Sequence, residues 1–373
     1  AIEAVNAIGA PVLAIDIPSG LCADTGTQLG PAVRADATIS FIGLKRGLFT
    51  GRGPALCGDV CFDDLRVPAA ALARVPARAE RLDAGLVGEL LQPRDRDAHK
   101  GRFGHVLVIG GDHGFAGAAL LAAEAAARCG AGLVSVATRP EHLPALLARC
   151  PELMVHGVTQ PADVGPLLAR ATVVVIGPGL GNKAWGRGLI DRALRSPLPL
   201  VVDADALNMI AAGVTDAAAL RGRDPRWVLT PHPGEAGRLL GTDSAAVQAD
   251  RFRAVRDLQS RFGGTVLLKG AGTLVDNGDA RPVAVVAAGN PGMASGGMGD
   301  VLSGVIGALA AQGLALPDAA RLGAVVHGAA ADRCAARSGE RGMLASDLLL
   351  PLREILNGRA GGQPERHAAN GAG

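Results

Sequence analysis

The sequence predicts an α/β fold built around a mostly parallel sheet. Two observations carry this. From residue 83 onward, short and nearly continuous apolar runs (HVLVI at 105–109, LVSVA at 133–137, TVVVI at 172–176, PLVVD at 199–203) alternate with Ala/Leu-rich stretches of helical length. Strands covered by helices on both faces need no alternating polar residue, so they read as unbroken apolar runs. Glycine clusters then follow several of the runs directly, at the strand-to-helix junctions where ligands of open α/β sheets gather.

Along the chain, residues 1–68 hold three apolar runs between Gly and Pro breakers: PVLAID at 11–16, ATISFI at 37–42 and GDVCF at 58–62. They read as strands of a small first unit. Residues 69–82, rich in Ala, Arg and Pro without periodicity, read as a linker or an exposed helical connection. Residues 83–357 form one α/β domain, to which WVLT at 227–230 and TVLLK at 265–269 add strands, 273–286 a hairpin and 115–129 a helix. The apolar run 301–316 is too short and too glycine-bearing to span a bilayer and reads as a buried helix. The Gly-rich polar tail 358–373 reads as disordered.

With 49% apolar residues in 373 the chain can bury a full core, and its length favours two units. A net charge of +2, two Trp, seven Phe and no Tyr supply neither the basic field nor the stacking rings of a nucleic-acid binder. Six scattered cysteines point to reduced thiols and a cytoplasmic setting rather than a disulfide frame. The basic residues are almost all Arg; only Lys45, Lys100, Lys183 and Lys269 are lysines, and three of these lie in or beside glycine-containing motifs.

The segment GNPGMASGGMGD at 289–300 contains five glycines and leads straight into an apolar helix. Bare amides at a helix start, around Gly296, Gly297 and Gly299, can face a phosphate. Asp300 beside them can take a proton from a hydroxyl as its oxygen attacks phosphorus. Dipole stabilisation of a helix-start carboxylate accounts for Asp300 but not for the glycines. GGDHG at 110–114 and GPGLG at 177–181 follow strands, yet neither fits the dinucleotide fingerprint, and no P-loop is present. KGAGT at 269–273 offers amides, a hydroxyl and a cation; it is either a nucleotide contact or a hairpin turn. In TPHPGE at 230–235 two prolines restrict His232, and Glu235 starts a helix. A fixed imidazole and a carboxylate can bind substrate and, through a metal, phosphate. A helix-entry turn explains Glu235 well and His232 poorly. DADALN at 203–208 puts Asp203, Asp205 and Asn208 on the same rim, with one of them open to a capping role.

These segments, with KGRFGHVLVIGG at 100–111, occur in the order seen in ADP/ATP-dependent NAD(P)H-hydrate dehydratases, which residues 83–357 resemble. The resemblance implies a ribokinase-like three-layer sandwich with a mostly parallel central sheet flanked by helices. It implies a metabolite-repair lyase that phosphorylates the added hydroxyl of (6S)-NADH hydrate or NADPH hydrate from ADP or ATP, then expels phosphate to restore the nicotinamide. Matched by position, Ala118, Gly181, His232 and Asp300 contact the hydrate, and Lys269, Gly270, Ala271, Gly272, Thr273 and Gly299 contact the nucleotide. Asp300 is then the base, amides around Gly296, Gly297 and Gly299 hold phosphate, and Mg²⁺ bridges phosphates with Glu235 near it.

Upstream, AIDIPSGL at 14–21, FIGLK at 41–45 and GL at 47–48 resemble the last part of a Rossmann-like NAD(P)H-hydrate epimerase domain. That resemblance gives Asp16 a substrate contact and Ser19 a potassium contact. The remaining epimerase loop would precede residue 1, so epimerisation by this stretch alone is not expected. A homo-oligomer without nucleic-acid or membrane partners is expected. Two residues depart from the family pattern: Met298 where Thr is more usual, and Cys22 where Asp is more usual. Competing expectations are a kinase of the same fold acting on a vitamin-precursor alcohol, whose phosphate stays on the product, and a nucleotide-binding regulatory protein without turnover.

Overall fold

The computed structural model describes residues 1–215 and 226–358, so the expected tail lies outside the described residues from 359 onward. Strands β1 (Leu13–Ile15), β2 (Ala37–Phe41) and β3 (Asp59–Asp63) form a parallel three-stranded sheet in that order. A second sheet holds β4 (Ala79–Leu82), β5 (His105–Ile109), β6 (Leu133–Thr138), β7 (Met154–Gly157), β8 (Val173–Ile176), β9 (Leu200–Val202), β10 (Trp227–Leu229), β11 (Thr265–Leu268), β12 (Thr273–Asp276) and β13 (Val283–Val286). Its order is β4-β13-β12-β11-β10-β9-β8-β5-β6-β7, and only β12 runs against its neighbours.

Side-chain alternation explains the unbroken apolar runs. Val106 and Val108 of β5, Val175 of β8 and Val201 of β9 face a core built with the helices Ala116–Arg128, Met298–Ala311 and Leu316–Ser338. Leu107, Ile109, Val174, Ile176, Leu200 and Val202 face the opposite core, with the helices Ala184–Arg195, Ala204–Ala211, Pro233–Leu240 and Arg251–Phe262. Both faces are buried, which gives three layers.

The chain leaves β5 outward to β6 and β7, then returns to place β8 on the other side of β5. This reversal opens a crevice beyond the C-terminal ends of β5 and β8. The helix Met298–Ala311 packs closely beside it because two of its three glycines face neighbours that would clash with a side chain. A Cβ at Gly304 would stand 2.0 Å from the Ala122 carbonyl oxygen, and one at Gly307 would stand 2.6 Å from Val175.

Three expectations change. The stretch 69–82 does begin as a short exposed helix, Ala69–Leu72, but it then forms the unexpected β4, which pairs with β13 at the edge of the large sheet. Strand β7 was not foreseen, because four residues containing a His and a terminal Gly carry too little apolar signal. The buried helix begins three residues earlier than the apolar run and ends at Ala311, and a new helix starts at Leu316. The hairpin expected over 273–286 is the β12–β13 pair.

Candidate active site

The glycine loop is held from outside. Asp332, on the long helix, accepts from Gly289 N and Asn290 Nδ2, both at 2.9 Å, and Asn290 Oδ1 accepts from Gly292 N at 3.0 Å. Gly297 then adopts φ +89°, a left-handed conformation that a side chain would strain, and the helix starts at Met298. Its first amides have no acceptor within the helix and form the positive end of its dipole. Asp300 lies in this first turn.

Three neighbouring strand ends supply charge beside that turn. Asp203, after β9, occupies the cap position of the helix Ala204–Ala211 yet makes no cap bond. Its Oδ1 accepts from Lys269 Nζ at 2.7 Å and its Oδ2 from Ser303 Oγ at 2.8 Å. Lys269, after β11, also approaches Glu235 Oε2 to 3.9 Å. A Cβ at Gly299 would stand 3.1 Å from Lys269 Nζ, so the glycine leaves room for the ammonium at the helix start. After β10, His232 Nδ1 accepts from Gly234 N at 2.9 Å while Glu235 Oε2 accepts from His232 N at 2.8 Å. This reciprocal cap accounts for His232 as well as Glu235, contrary to the sequence reading. The His232 side chain remains 50% exposed, with Nε2 3.6 Å from Glu235 Oε1.

Electrostatics follow from this packing. Burial and the charge of Asp203 push the Asp300 carboxyl up to about 7, against the opposing pull of Lys269. Burial pushes Glu235 up to about 7 as well. Burial would lower the Lys269 ammonium, but the Asp203 and Glu235 carboxylates outweigh it and hold it above its ordinary value. Burial, then the charges of Lys269 and Arg238, lower His232 from its ordinary value and favour the neutral imidazole.

The β5–β8 side of the crevice is built from loops. Gly181 N donates to Asp205 Oδ2 at 2.8 Å, and a Cβ on Gly181 would meet Asp112 Oδ2 at 2.7 Å. Asp112 is buried against Arg139 (2.7 Å), whose guanidinium lies 4.2 Å from the centre of the Trp185 ring. Ala118, in the first turn of the helix Ala116–Arg128, stands where a Cβ on Gly179 would touch it at 3.2 Å. Asp300, Gly299, Lys269, Glu235 and His232 are thus brought together, while Gly181, in the loop after β8, and Ala118, in the first turn of the helix after β5, lie beyond the neighbouring strand ends. Asp16 and Ser19 follow β1 on the smaller sheet. Asp16, at φ +68°, accepts from Lys45 Nζ, from Phe41 N at 3.2 Å and from Ser40 Oγ at 3.3 Å. Ser19 is exposed.

Among the described residues no group of three or more His, Cys, Asp or Glu could hold a metal ion by itself. The carboxylates beside the helix start, Asp300 and Glu235, are oxygen donors of the kind Mg²⁺ takes, usually one or two carboxylates plus substrate phosphates. Ser303 and Arg251 went unnoticed in the sequence: one sits inside an apolar run, and the other looks like a surface charge on an amphipathic helix.

A doubly wound, mostly parallel sheet with a glycine-led helix start over its strand ends is a ribokinase-like α/β fold. The chain belongs to the NAD(P)H-hydrate dehydratase family, whose model matches residues 106–353, and residues 1–47 match the model of the YjeF-related protein N-terminus. It is 51% identical over 356 residues to the bifunctional NAD(P)H-hydrate repair enzyme Nnr of Coxiella burnetii, covering 95% of this chain and 71% of that one. The Escherichia coli enzyme of the same name is 48% identical, over 95% of this chain and 67% of its own. A solved structure of the ADP/ATP-dependent NAD(P)H-hydrate dehydratase of Bacillus subtilis, co-crystallised with ATP/Mg²⁺, superposes with a TM-score of 0.63. It is 28% identical and covers 74% of this chain and 97% of that one. No helix among the described residues is long and apolar enough to cross a membrane.

Proposed function

We propose that residues 83–357 dehydrate NADH or NADPH hydrate at the crevice just described, using ADP or ATP, with Asp300 as base. One observation carries this assignment: Asp300 sits on the first turn of a helix, beside its free N-terminal amides, with its carboxyl pushed up to about 7 by burial. A base with a pKa near the working pH combines the right protonation state with driving force for proton transfer. Asp300 takes the proton of the added hydroxyl as its oxygen bonds to the terminal phosphorus and the bond to the nucleotide breaks. Amides of 296–299 and Lys269 receive the negative charge of the transferred group. Phosphate is a better leaving group than hydroxide, and the ring nitrogen's electron pair assists its departure.

Ala118, Gly181 and His232 are assigned to the hydrate, and 269–273 with Gly299 to the nucleotide. The closeness of Gly299 to Lys269 lets a helix-start amide and the ammonium reach the same phosphate from neighbouring positions. Mg²⁺ would neutralise phosphate oxygens, with Glu235 assigned near it. We read residues 1–68 as belonging to an epimerase unit, supported by the match over 1–47, with Asp16 and Ser19 assigned to that unit's substrate and potassium. Incubation with NADH hydrate and ADP should restore the NADH absorbance and release phosphate. A stable phosphorylated product would instead make the protein a kinase.

A further inference from the structure

Arg251 is wholly buried at the start of the helix Arg251–Phe262, and among the described residues no carboxylate pairs with it. An unpaired buried guanidinium is costly unless its donors are used. Here they are spent on one turn: Nη2 donates to the carbonyls of Leu268 (3.3 Å), Lys269 (3.2 Å) and Gly272 (3.1 Å). Nη1 donates to Gln248 Oε1 at 3.0 Å. Its Nε donates to the hydroxyl of Thr50, which comes from the smaller unit and is itself fully buried.

Thr50 reaches the same turn directly. Its Oγ1 lies 3.2 Å from the Ala271 carbonyl oxygen, to which Gly51 N also donates at 3.2 Å. The fit leaves no slack. Gly272 has φ +68°, and a Cβ there would stand 1.9 Å from the Phe49 carbonyl oxygen. Two outer contacts brace the junction: Thr27 Oγ1 donates to Ala249 O at 2.7 Å, and Arg46 lies 4.5 Å from the centre of the Phe252 ring.

We infer that Arg251 and Thr50 are positioning residues for the nucleotide, through which the smaller unit shapes the donor side of the dehydratase site. The inference rests on reading 269–273 as the nucleotide turn. Arg251 gathers the turn's carbonyls, Thr50 orients Arg251, and the turn carries Lys269 to Asp203 and the glycine loop. The smaller unit is therefore part of the dehydratase's working structure, whatever chemistry it performs itself.

The test uses the full chain. Thr50→Val removes the hydroxyl and keeps the shape, Thr50→Ala removes it without adding a methyl, and Thr50→Ser restores it. Both hydroxyl-free variants should raise the KM for ADP about fivefold or more, the scale of losing a hydrogen bond to a charged group. The KM for NADH hydrate and kcat should change less than about twofold, and Thr50→Ser should behave as the parent. An unchanged ADP KM in either folded variant overturns the inference, as does an equal rise in both KM values. Thr273→Ala separates the premise from the inference. If Thr273→Ala raises the ADP KM while the Thr50 variants do not, the turn binds nucleotide but the coupling is wrong. If Thr273→Ala leaves it unchanged, the nucleotide assignment fails and the inference falls with it.

Discussion

Lys269 Nζ lies 2.7 Å from Asp203 Oδ1, joining the ends of β11 and β9 across the intervening β10. Asp203 is 1% exposed and Lys269 is 19% exposed. Ser303 holds the second Asp203 oxygen from the overlying helix. One ion pair thus registers two strand ends against the helix that carries Asp300, and it leaves the ammonium free to face an anion on its other side.

Lys269→Met should therefore damage stability as well as rate. It strands a buried Asp203 charge, a loss on the order of 3 kcal/mol or more. Denaturant unfolding of the variant at neutral pH measures this, and a midpoint equal to the parent's would refute the structural role given to the pair.

The rate should depend on pH through Asp300. Its carboxyl titrates near 7, so kcat/KM should rise as pH increases through 7 and level off once the base is ionised. Asp300→Asn should cost at least about a hundredfold in kcat, the scale of general-base loss, and should flatten that limb. Persistence of the limb in this variant would assign it to Glu235, whose carboxyl titrates in the same range.

Asp300 should also weaken the fold that holds it. Its pKa is raised on folding from 3.8 to about 7, so the folded state binds the extra proton. The stability this contributes is present in full below about pH 4 and is lost as pH rises through 7. Asp300→Asn should accordingly raise the thermal midpoint relative to the parent at pH 8, with the difference shrinking towards pH 4. A variant less stable than the parent at pH 8 contradicts the burial argument.

Gly304→Ala tests the link between packing and chemistry. The added methyl would stand 2.0 Å from the backbone oxygen of Ala122, which cannot yield as a side chain would. Overpacking of this kind costs about 1–3 kcal/mol. It lifts the helix bearing Asp300 off the helix bearing Ala118, so kcat should fall by about tenfold or more, because small misplacements of reacting groups are expensive. Parent-like kcat in a folded variant would show that helix contact does not set the site.

Much of this was written in local pattern. The strands β5, β6, β8, β9, β10 and β11 are legible because burial on both faces demands unbroken apolar runs, and the glycine loop before Asp300 because a helix start that faces an anion must be bare. The two caps of the site were read unevenly. Glu235 carries the ordinary signal of a helix start, whereas His232 acts as an acceptor cap, a role that residue type alone does not announce.

What needed the folded chain was every relationship between distant segments. Residues 203, 269 and 303 are far apart in the chain, and only the parallel order β9-β10-β11 under the helix Met298–Ala311 makes them neighbours. The poised carboxyls of Asp300 and Glu235 arise from burial and from charges that arrive with that order, and neither can be computed from spacing. The same holds for Arg251: on its helix it looks like one more solvated arginine, and only the docking of Thr50 against the 269–273 turn turns it inward. Pattern along the chain fixes which residues can do chemistry; the dielectric and the distances that let them do it exist only once the layers have closed.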